Sequence, residues 1–320
     1  MDTLPVKMTL GIQPTGWTND DFQEIGNDIP YQTILEQTKE AGFDGGSTGH
    51  NYPTHAPSLS KAMQLSNLKI AATWDGTTFT TGIEIEEAFS AFQAQVAFLK
   101  SVGAQDVVVA ELANAVNQVR TKSVLTDRPI FNEPQWYLLT SLLDRAGKYA
   151  HEQGMQLSYH PHVGTGVMTI KETIRLMEST NPIYVGLCLD TGHLHYGGAV
   201  NYKDYGDAQD YRRASQSEIE DLTERYASRI KHVHLKNVRR NVLPLAVDNK
   251  FSFYQAIMQG IFTVPGDPDG DLDLRPILRI LKGAGYNRWM IIEAEQDPTK
   301  ANPLQCAKTA RAFLREELGW

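Results

Sequence analysis

A single α/β domain built as a (β/α)8 TIM barrel over residues 1–320 is the fold this sequence predicts, and three observations predict it. Short β-prone segments alternate with longer amphipathic ones from end to end. About eight such strands can be found, the number that closes a barrel, and the 320 residues exceed the roughly 250 typical of that fold. The late strands each carry an apolar face suited to covering helices and a second face that turns polar at its C-terminal end. A doubly wound open sheet is built from the same repeat, but it does not need that inward polar convergence. No Ser/Gly/Pro-rich linker or low-complexity tract divides the chain.

In chain order, the strand candidates are "MTLGIQP", "FDGGST", "LKIAATWDG", "DVVVAEL", "MQLSYHPH", "YVGLCLDTGH", "IKHVHLKN" and "WMIIEAEQD". Between them run "IPYQTILEQTKEAGF", "EEAFSAFQAQVAFLKSVGA", "PQWYLLTSLLDRAGKYAHEQG" and "LRPILRILKGAGY". Several of these end in a glycine just before the next strand, the C-cap expected of crossover helices. In the sixth strand Val185, Leu187 and Leu189 share one face, and Gly186, Cys188 and Asp190 share the other. In the seventh, Val233 and Leu235 oppose His232, His234 and Lys236; in the eighth, Ile292 and Ala294 oppose Ile291, Glu293 and Glu295. An extended segment between strands seven and eight, about residues 238–288, has aromatics and Gly/Pro turns suited to a lid or an interface, unless it simply packs into the helical shell.

Composition excludes several function classes. A net charge of −8 with no basic stripe offers no counterion release to a nucleic acid. Two cysteines, Cys188 and Cys306, give neither a disulfide framework nor a paired zinc motif, which suits a reducing compartment. No apolar stretch approaches a membrane span, and "MDTLPVKMTL" lacks the basic-then-apolar pattern of a signal peptide. The expected setting is cytoplasmic, with a small-molecule substrate, no membrane partner and a homo-oligomer as an open option.

The chemistry lies at the late strand ends. In an extended strand His160 and His162 share a face. If the barrel closes, they converge with Asp190 and His193 from the sixth strand, His232 and His234 from the seventh, and Glu293 and Glu295 from the eighth. Two imidazoles with two carboxylates form a divalent-metal set, and mixed nitrogen and oxygen donors suit Mn, Co, Fe or Zn better than Mg or Ca. The expected ligands are His160, Asp190, His234 and Glu293, one from each strand. His162, His193, His232, Lys236 and Glu295 are then expected to orient ligands, contact substrate or move protons. Taken singly, a strand histidine is more often a hydrogen-bonded structural residue, "DTGH" can be a capped turn, and a lysine at the mouth can be a solvated rim residue. Jointly the bland reading weakens, because buried charges in four strands need a metal or partners. Cys188, inward but deeper, reads as packing.

"GIQPTGWTNDD", residues 11–21, ends the first strand with turn formers. Asn19 or Asp20 can cap a helix. With Trp17 they can also form a polyol-binding surface, the indole covering a ring face while polar groups bond hydroxyls. Binding is the favoured reading for Trp17. Trp74 in "TWDG" offers the same surface, and Arg239, closing "IKHVHLKNVR", completes the candidate substrate contacts.

"GIQPTGWTNDD", "YHPHVGTGV", "LDTGHLHYGG", "IKHVHLKNVR", "GIFTVPGDPDGDLD" and "WMIIEAEQDPTKANP" together resemble the myo-inosose-2 dehydratase family of inositol catabolism, within the xylose-isomerase-like sugar isomerase/epimerase superfamily. The resemblance runs nearly end to end. "EAEQDP" with "ANP" and "YHPHVGT" are its specific signals, while "DTGH" and "HVHLK" belong to the wider superfamily. It implies a divalent metal, usually Mn or Co, and dehydration of a keto-inositol (scyllo-inosose, 2-keto-myo-inositol) to a trihydroxycyclohexane-dione. It also places His160 where the superfamily's first metal-binding Glu usually stands, with Asp190, His234 and Glu293 in the other three places. Two positions depart from the pattern: Ser47 replaces a Glu near the end of the second strand, and Asn237 stands where "HLKD" is usual. Both bear on substrate identity.

Dehydration beside a ketone needs loss of an acidic C–H proton, stabilisation of the enolate and departure of a β-hydroxyl. A chelated metal supplies the electrophile, and a base and an acid move the protons. Glu295, His162, His193 and Lys236 are the candidates for those transfers, with Glu293 able to serve as ligand and base together. The alternatives are a ketose isomerase or 3-epimerase of the same superfamily, which shares the enolate but returns the proton, and a non-catalytic polyol-binding barrel. An endonuclease on this fold is disfavoured by the acidic surface.

Overall fold

The computed structural model describes residues 7–319. Residues 1–6 and 320, at the ends of the expected domain, lie outside the described residues, as does most of the segment read against a signal peptide. Eleven strands form among the described residues: β1 (Thr9–Ile12), β2 (Gly45–Gly46), β3 (Lys69–Ile70), β4 (Trp74–Thr77), β5 (Asp106–Glu111), β6 (Gln156–Tyr159), β7 (Val185–Asp190), β8 (Ile230–Leu235), β9 (Asn237–Val238), β10 (Phe262–Thr263) and β11 (Trp289–Ile292). Nine of them make one parallel sheet in the order β3-β2-β1-β11-β8-β7-β6-β5-β4. The two ends of that sheet, β3 and β4, are the two halves of a single stretch, Lys69 to Thr77, interrupted at residues 71–73. The chain itself therefore joins the sheet's ends, and the result is a barrel of eight staves.

Among the described residues the eleven α-helices are α1 (Tyr31–Ala41), α2 (Ala56–Ser66), α3 (Ile85–Ser101), α4 (Glu133–Glu152), α5 (Ile170–Ser179), α6 (Thr191–Gly198), α7 (Ala208–Arg225), α8 (Leu243–Asp248), α9 (Phe253–Met258), α10 (Arg275–Gly283) and α11 (Pro303–Leu318). Local chemistry sets many of their ends. Asn132, Thr169 and Ser252 each open a helix with a reciprocal capping box. Gly42 closes α1 in the left-handed conformation, φ 88°. None of the described helices is long and apolar enough to cross a membrane.

The hydrophobic core lies chiefly between barrel and helices, where Val107, Val109, Leu157, Leu187, Leu189, Val233 and Leu235 meet Leu139, Leu143, Leu176 and Ile277. The barrel interior holds a smaller apolar plug of Ala72, Val108 and Cys188. β2 is a pair of glycines because its neighbours approach closely: a Cβ on Gly45 would stand 1.9 Å from the carbonyl oxygen of Lys69. The second strand is two residues long where the sequence suggested six.

The extended segment after the seventh stave folds into β9, α8, α9, β10 and α10, with β9 and β10 pairing antiparallel. Its aromatics are not on the surface: Phe253 and Phe262 are fully buried and pack against His193, at ring-centroid distances of 6.1 and 5.1 Å. Asn237, the departure from "HLKD", faces this segment rather than the barrel mouth. Its Oδ1 accepts from the backbone N–H groups of Val238, Asp271 and Leu272 at 2.8, 3.1 and 3.0 Å, and its Nδ2 donates to the Leu272 carbonyl at 2.9 Å.

Asn237→Ala strands the buried amide of Leu272, at a cost of about 1–3 kcal/mol, while the Asp271 N–H keeps its bond to the Val238 carbonyl at 2.8 Å. The expected outcome is a loss of roughly 1–3 kcal/mol in urea denaturation, with an unchanged m value.

Candidate active site and metal centre

The chain turns outward at the C-terminal ends of the fifth to eighth staves, and the side chains at those ends meet. Asp190, the last residue of β7, has two tasks. Its Oδ1 accepts from the backbone N–H of His193 at 2.7 Å and so caps α6. Its Oδ2 lies 3.2 Å from His160 Nε2, 3.5 Å from His234 Nδ1 and 3.4 Å from Lys236 Nζ. Glu293, one residue beyond β11, brings Oε2 to 2.6 Å from His234 Nδ1 and 3.3 Å from Lys236 Nζ. All of these groups are buried.

One atom each from His160, Asp190, His234 and Glu293 falls within 4.8 Å of the other three. Ligands about 2.1 Å from a tetrahedral ion stand roughly 3.4 Å apart, close to the 3.2 and 3.5 Å separations here. His234 Nδ1 and Glu293 Oε2 are close but lack hydrogen-bond geometry, so both remain unpartnered buried polar atoms. Atoms that approach without bonding one another are what a shared cation accounts for. The Gln13 carboxamide lies 3.4 Å from Nε2 of His234; with its oxygen turned to that nitrogen it would hold the proton there and free Nδ1 as a donor.

Charge bookkeeping agrees. Asp190, Glu293 and Glu295 formally contribute −3 and Lys236, wholly buried, contributes +1; burial opposes a proton on His234, but its acidic neighbours outweigh that and hold its pKa well above the usual imidazole value, so the cluster is net −1 with that proton and −2 once an ion displaces it. Burial resists ionisation of Asp190 and Glu293, but Lys236 and the neighbouring imidazoles outweigh it, holding Asp190 well below the usual carboxylate range and Glu293 below it. Both are carboxylates at neutral pH. Burial pushes the Cys188 thiol up, which keeps it an uncharged neighbour of His234 rather than a thiolate ligand. The residues therefore fit a divalent ion.

A second cluster, His162, His193 and Glu295, also brings its donor atoms together. Its proton inventory argues against a second ion. His193 Nδ1 accepts from the Val163 N–H at 3.5 Å, so the neutral ring carries its proton on Nε2, facing Glu295 at 3.3 Å. The Lys236 ammonium also lies 2.8 Å from Glu295. His162 donates Nδ1–H to its neighbour Val163's carbonyl at 2.8 Å and keeps Nε2 as an acceptor. Burial keeps both rings neutral, with Lys236 adding to the effect on His193, and their centroids stand only 3.9 Å apart. Lys236 is thus not a solvated rim residue. Its stem passes over Gly192, where a Cβ would meet its Cγ at 2.4 Å, so the glycine of "DTGH" makes room for the lysine.

Above this floor opens a cavity, continuous with solvent, lined by Gln13, Thr15, Asn19, Asp20, Asp21, Thr48, Trp74, His160, His162, Glu293 and Glu295, among others. Trp74 faces it, 6.0 Å from the His162 ring, with an unpartnered Nε1–H. Asn19 lines it while its Oδ1 accepts from the Asp21 and Phe22 amides; Asp20, more exposed, bonds His50.

Three expected substrate contacts are corrected. Trp17 is not exposed at the mouth: it is 1% accessible, sits in the core and donates Nε1–H to Gln37 at 2.6 Å, because the chain folds back in a short 3-10 turn at Pro14–Gly16. His232 shares a strand face with His234 but lies two residues deeper, its Nδ1 3.1 Å from Asp106. Arg239 donates to the carbonyls of Gly260 and Phe262 at 2.7 and 2.8 Å and so pins the extended segment away from the cavity. The cavity also contains groups that sequence reasoning passed over. Gln13 and Thr15 sat in the quoted first loop, and Asp21 was its last residue; only their convergence on the late strands distinguishes them from turn formers.

The xylose isomerase-like TIM barrel family model matches residues 17–317. An inosose dehydratase of Geobacillus thermodenitrificans (strain NG80-2) is 40% identical over 313 residues, covering 98% of each chain. An inosose dehydratase of Bacillus cereus (strain AH820) is 38% identical over 310 residues, 97% of each. Among solved structures, that of the IOLI protein with a binding zinc atom superposes with a TM-score of 0.63 at 17% identity, covering 98% of each chain, a likeness of fold.

Lys236→Met keeps the stem and removes the only ammonium among three carboxylates. The metal-free variant is expected to lose about 3–5 kcal/mol near neutral pH. Because Asp190 and Glu293 are held low in the folded protein, the stability they confer is present above their unfolded values, about 4, and is lost as pH falls through the folded ones. The gap between wild type and variant should therefore narrow as pH falls below ~4, and added divalent ion should narrow it at pH 7; thermal melts read both.

Proposed function

The chain belongs to the inosose dehydratases, hydro-lyases on the xylose isomerase-like TIM barrel, and on that premise we propose that it is a divalent-metal enzyme removing water from 2-keto-myo-inositol (scyllo-inosose) to give a trihydroxycyclohexane-dione. The observation that supports metal dependence is the buried, net-negative cluster whose His160, Asp190, His234 and Glu293 donors converge under the cavity. Mn or Co suits this mixed nitrogen and oxygen set, and Zn or Fe is compatible with it.

Bound there, the ion would supply a Lewis acid that polarises the substrate carbonyl and acidifies the adjacent C–H. The chain's own groups do the rest. His160 and Glu293 form the part of the ligand set that also lines the cavity, so a carbonyl and its neighbouring hydroxyl would rest against them. Glu295 lines the same wall outside the ligand set and is the base placed to take the α-proton; Lys236, 2.8 Å away, fixes its carboxylate. His162 Nε2, on the cavity wall, is an acceptor that suits a polyol's hydroxyl, and the buried His193 Nε2–H faces Glu295 behind it. Trp74 covers the ring and offers its free N–H.

Metal-stripped protein incubated with scyllo-inosose, with and without Mn or Co, should develop the ultraviolet absorbance of the enolised dione only when metal is present. His160→Ala and Glu293→Ala should each lower the rate about 100-fold or more. An isomeric ketose with no loss of water, or turnover indifferent to chelation, would overturn the reading.

A further inference from the structure

The first loop reaches across the barrel mouth. It leaves β1, yet Asp21 at its end is held by residues that follow β5, on the opposite side of the stave order: Asn117 Nδ2 and Gln118 Nε2 donate to it at 3.0 and 2.9 Å. Phe22 continues the bridge by packing on Phe253 and Tyr254 of the extended segment, and Arg120 lies over Tyr254 while pairing with Glu24. The span is built from three separate regions of the chain. What it carries into the cavity wall is a single carboxyl group.

Both carboxamides grip the same oxygen, Oδ1, so Oδ2 is the one left for a ligand in the cavity. Among the described residues, no cation is bonded to Asp21. The charged groups that act on it are carboxylates, Glu295 across the cavity and Asp20 beside it, while Asn117 and Gln118 are neutral. Burial, aided by those two carboxylates against the two carboxamide bonds, pushes its pKa up to about 6. This is the opposite of Asp190 and Glu293, which Lys236 keeps ionised. The two ends of the cavity therefore differ in kind, with ionised carboxylates at the floor and a carboxyl able to hold a proton at the roof.

We propose that Asp21 is the catalytic acid of the dehydration, protonating the departing β-hydroxyl from the roof of the cavity while Glu295 and the ligand set act from its floor. This rests on the dehydratase reading above. In the step, the α-C–H bond breaks and its proton goes to the base, leaving the pair as an enolate. That pair then forms the carbon–carbon double bond as the β-C–O bond breaks, and the Asp21 proton passes to the leaving oxygen, which departs as water. Asp21 is left as a carboxylate and regains a proton from solvent. The resulting enol ketonises to the dione, so substrate equals dione plus water.

Asp21→Asn keeps the shape and an oxygen for Asn117 and Gln118 but cannot give up a proton. The holoenzyme and the variant are incubated with scyllo-inosose in D2O. Nuclear magnetic resonance follows deuterium entering the recovered substrate, and absorbance follows the dione. The expected result is water loss reduced about 100-fold in the variant, with α-deuterium now accumulating in recovered substrate because the enolate forms and returns. A melt matching wild type, together with that exchange, separates lost acid catalysis from a displaced loop. Equal loss of exchange and elimination, or wild-type elimination, overturns the role of Asp21. Absence of both processes in the wild type overturns the dehydratase reading itself, and this inference with it.

Discussion

Three carboxylates and one ammonium, all withdrawn from water, set the terms for the rest of this molecule. Asp190, Glu293 and Glu295 surround Lys236 Nζ at 2.8–3.4 Å. Each buried charge would cost several kcal/mol unpaired, so the four side chains have little freedom to move independently. The lysine needs a cavity for its stem, which Gly192 provides, and the carboxylates need fixed backbones, which the end of β7 provides for Asp190 and the segment just past β11 for Glu293 and Glu295. With its imidazoles neutral the cluster leaves a deficit of two positive charges, which a divalent ion would match.

α6 ties the cluster to the outer shell. Asp190 caps it at one end, and His193 on its first turn faces the site. His195, one residue past the next, bridges Ser215 of α7 and Asp271 of the extended segment at 2.7 and 2.9 Å, and Arg212 pairs with the other oxygen of Asp271. Asn237 grips the backbone of the same turn. A short helix thus links ligand, proton-bearing imidazole and extended segment, so Phe253 and Phe262 are held against the histidines rather than left as a free lid.

Much of this is legible in the sequence because strand periodicity is local. Alternation in "YVGLCLDTGH", "IKHVHLKN" and "WMIIEAEQD" assigns faces correctly, and the barrel, the capped helices and the inward set of His160, Asp190, His234 and Glu293 follow. Depth does not follow. His232 and His234 share a face, yet a rise of about 3.3 Å per residue puts one with Asp106 in the interior and the other at the cluster. Exposure in loops is equally hidden: Trp17 and Trp74 look alike as tryptophans near strand ends, and only packing buries the first and leaves the second facing the cavity.

The sequence alone determined the repeating β/α order, the polar strand ends and the membership that those motifs announce, since each depends on residues within a few positions of one another. The tertiary structure decided which of those polar groups meet. Asp21 shows the difference: its partners Asn117 and Gln118 lie 96 and 97 residues away, and its distinctness from Asp20 comes from them and from its burial. Barrel closure and loop crossing set such long-range contacts, and these depend on the whole register of staves rather than on any short stretch of chain.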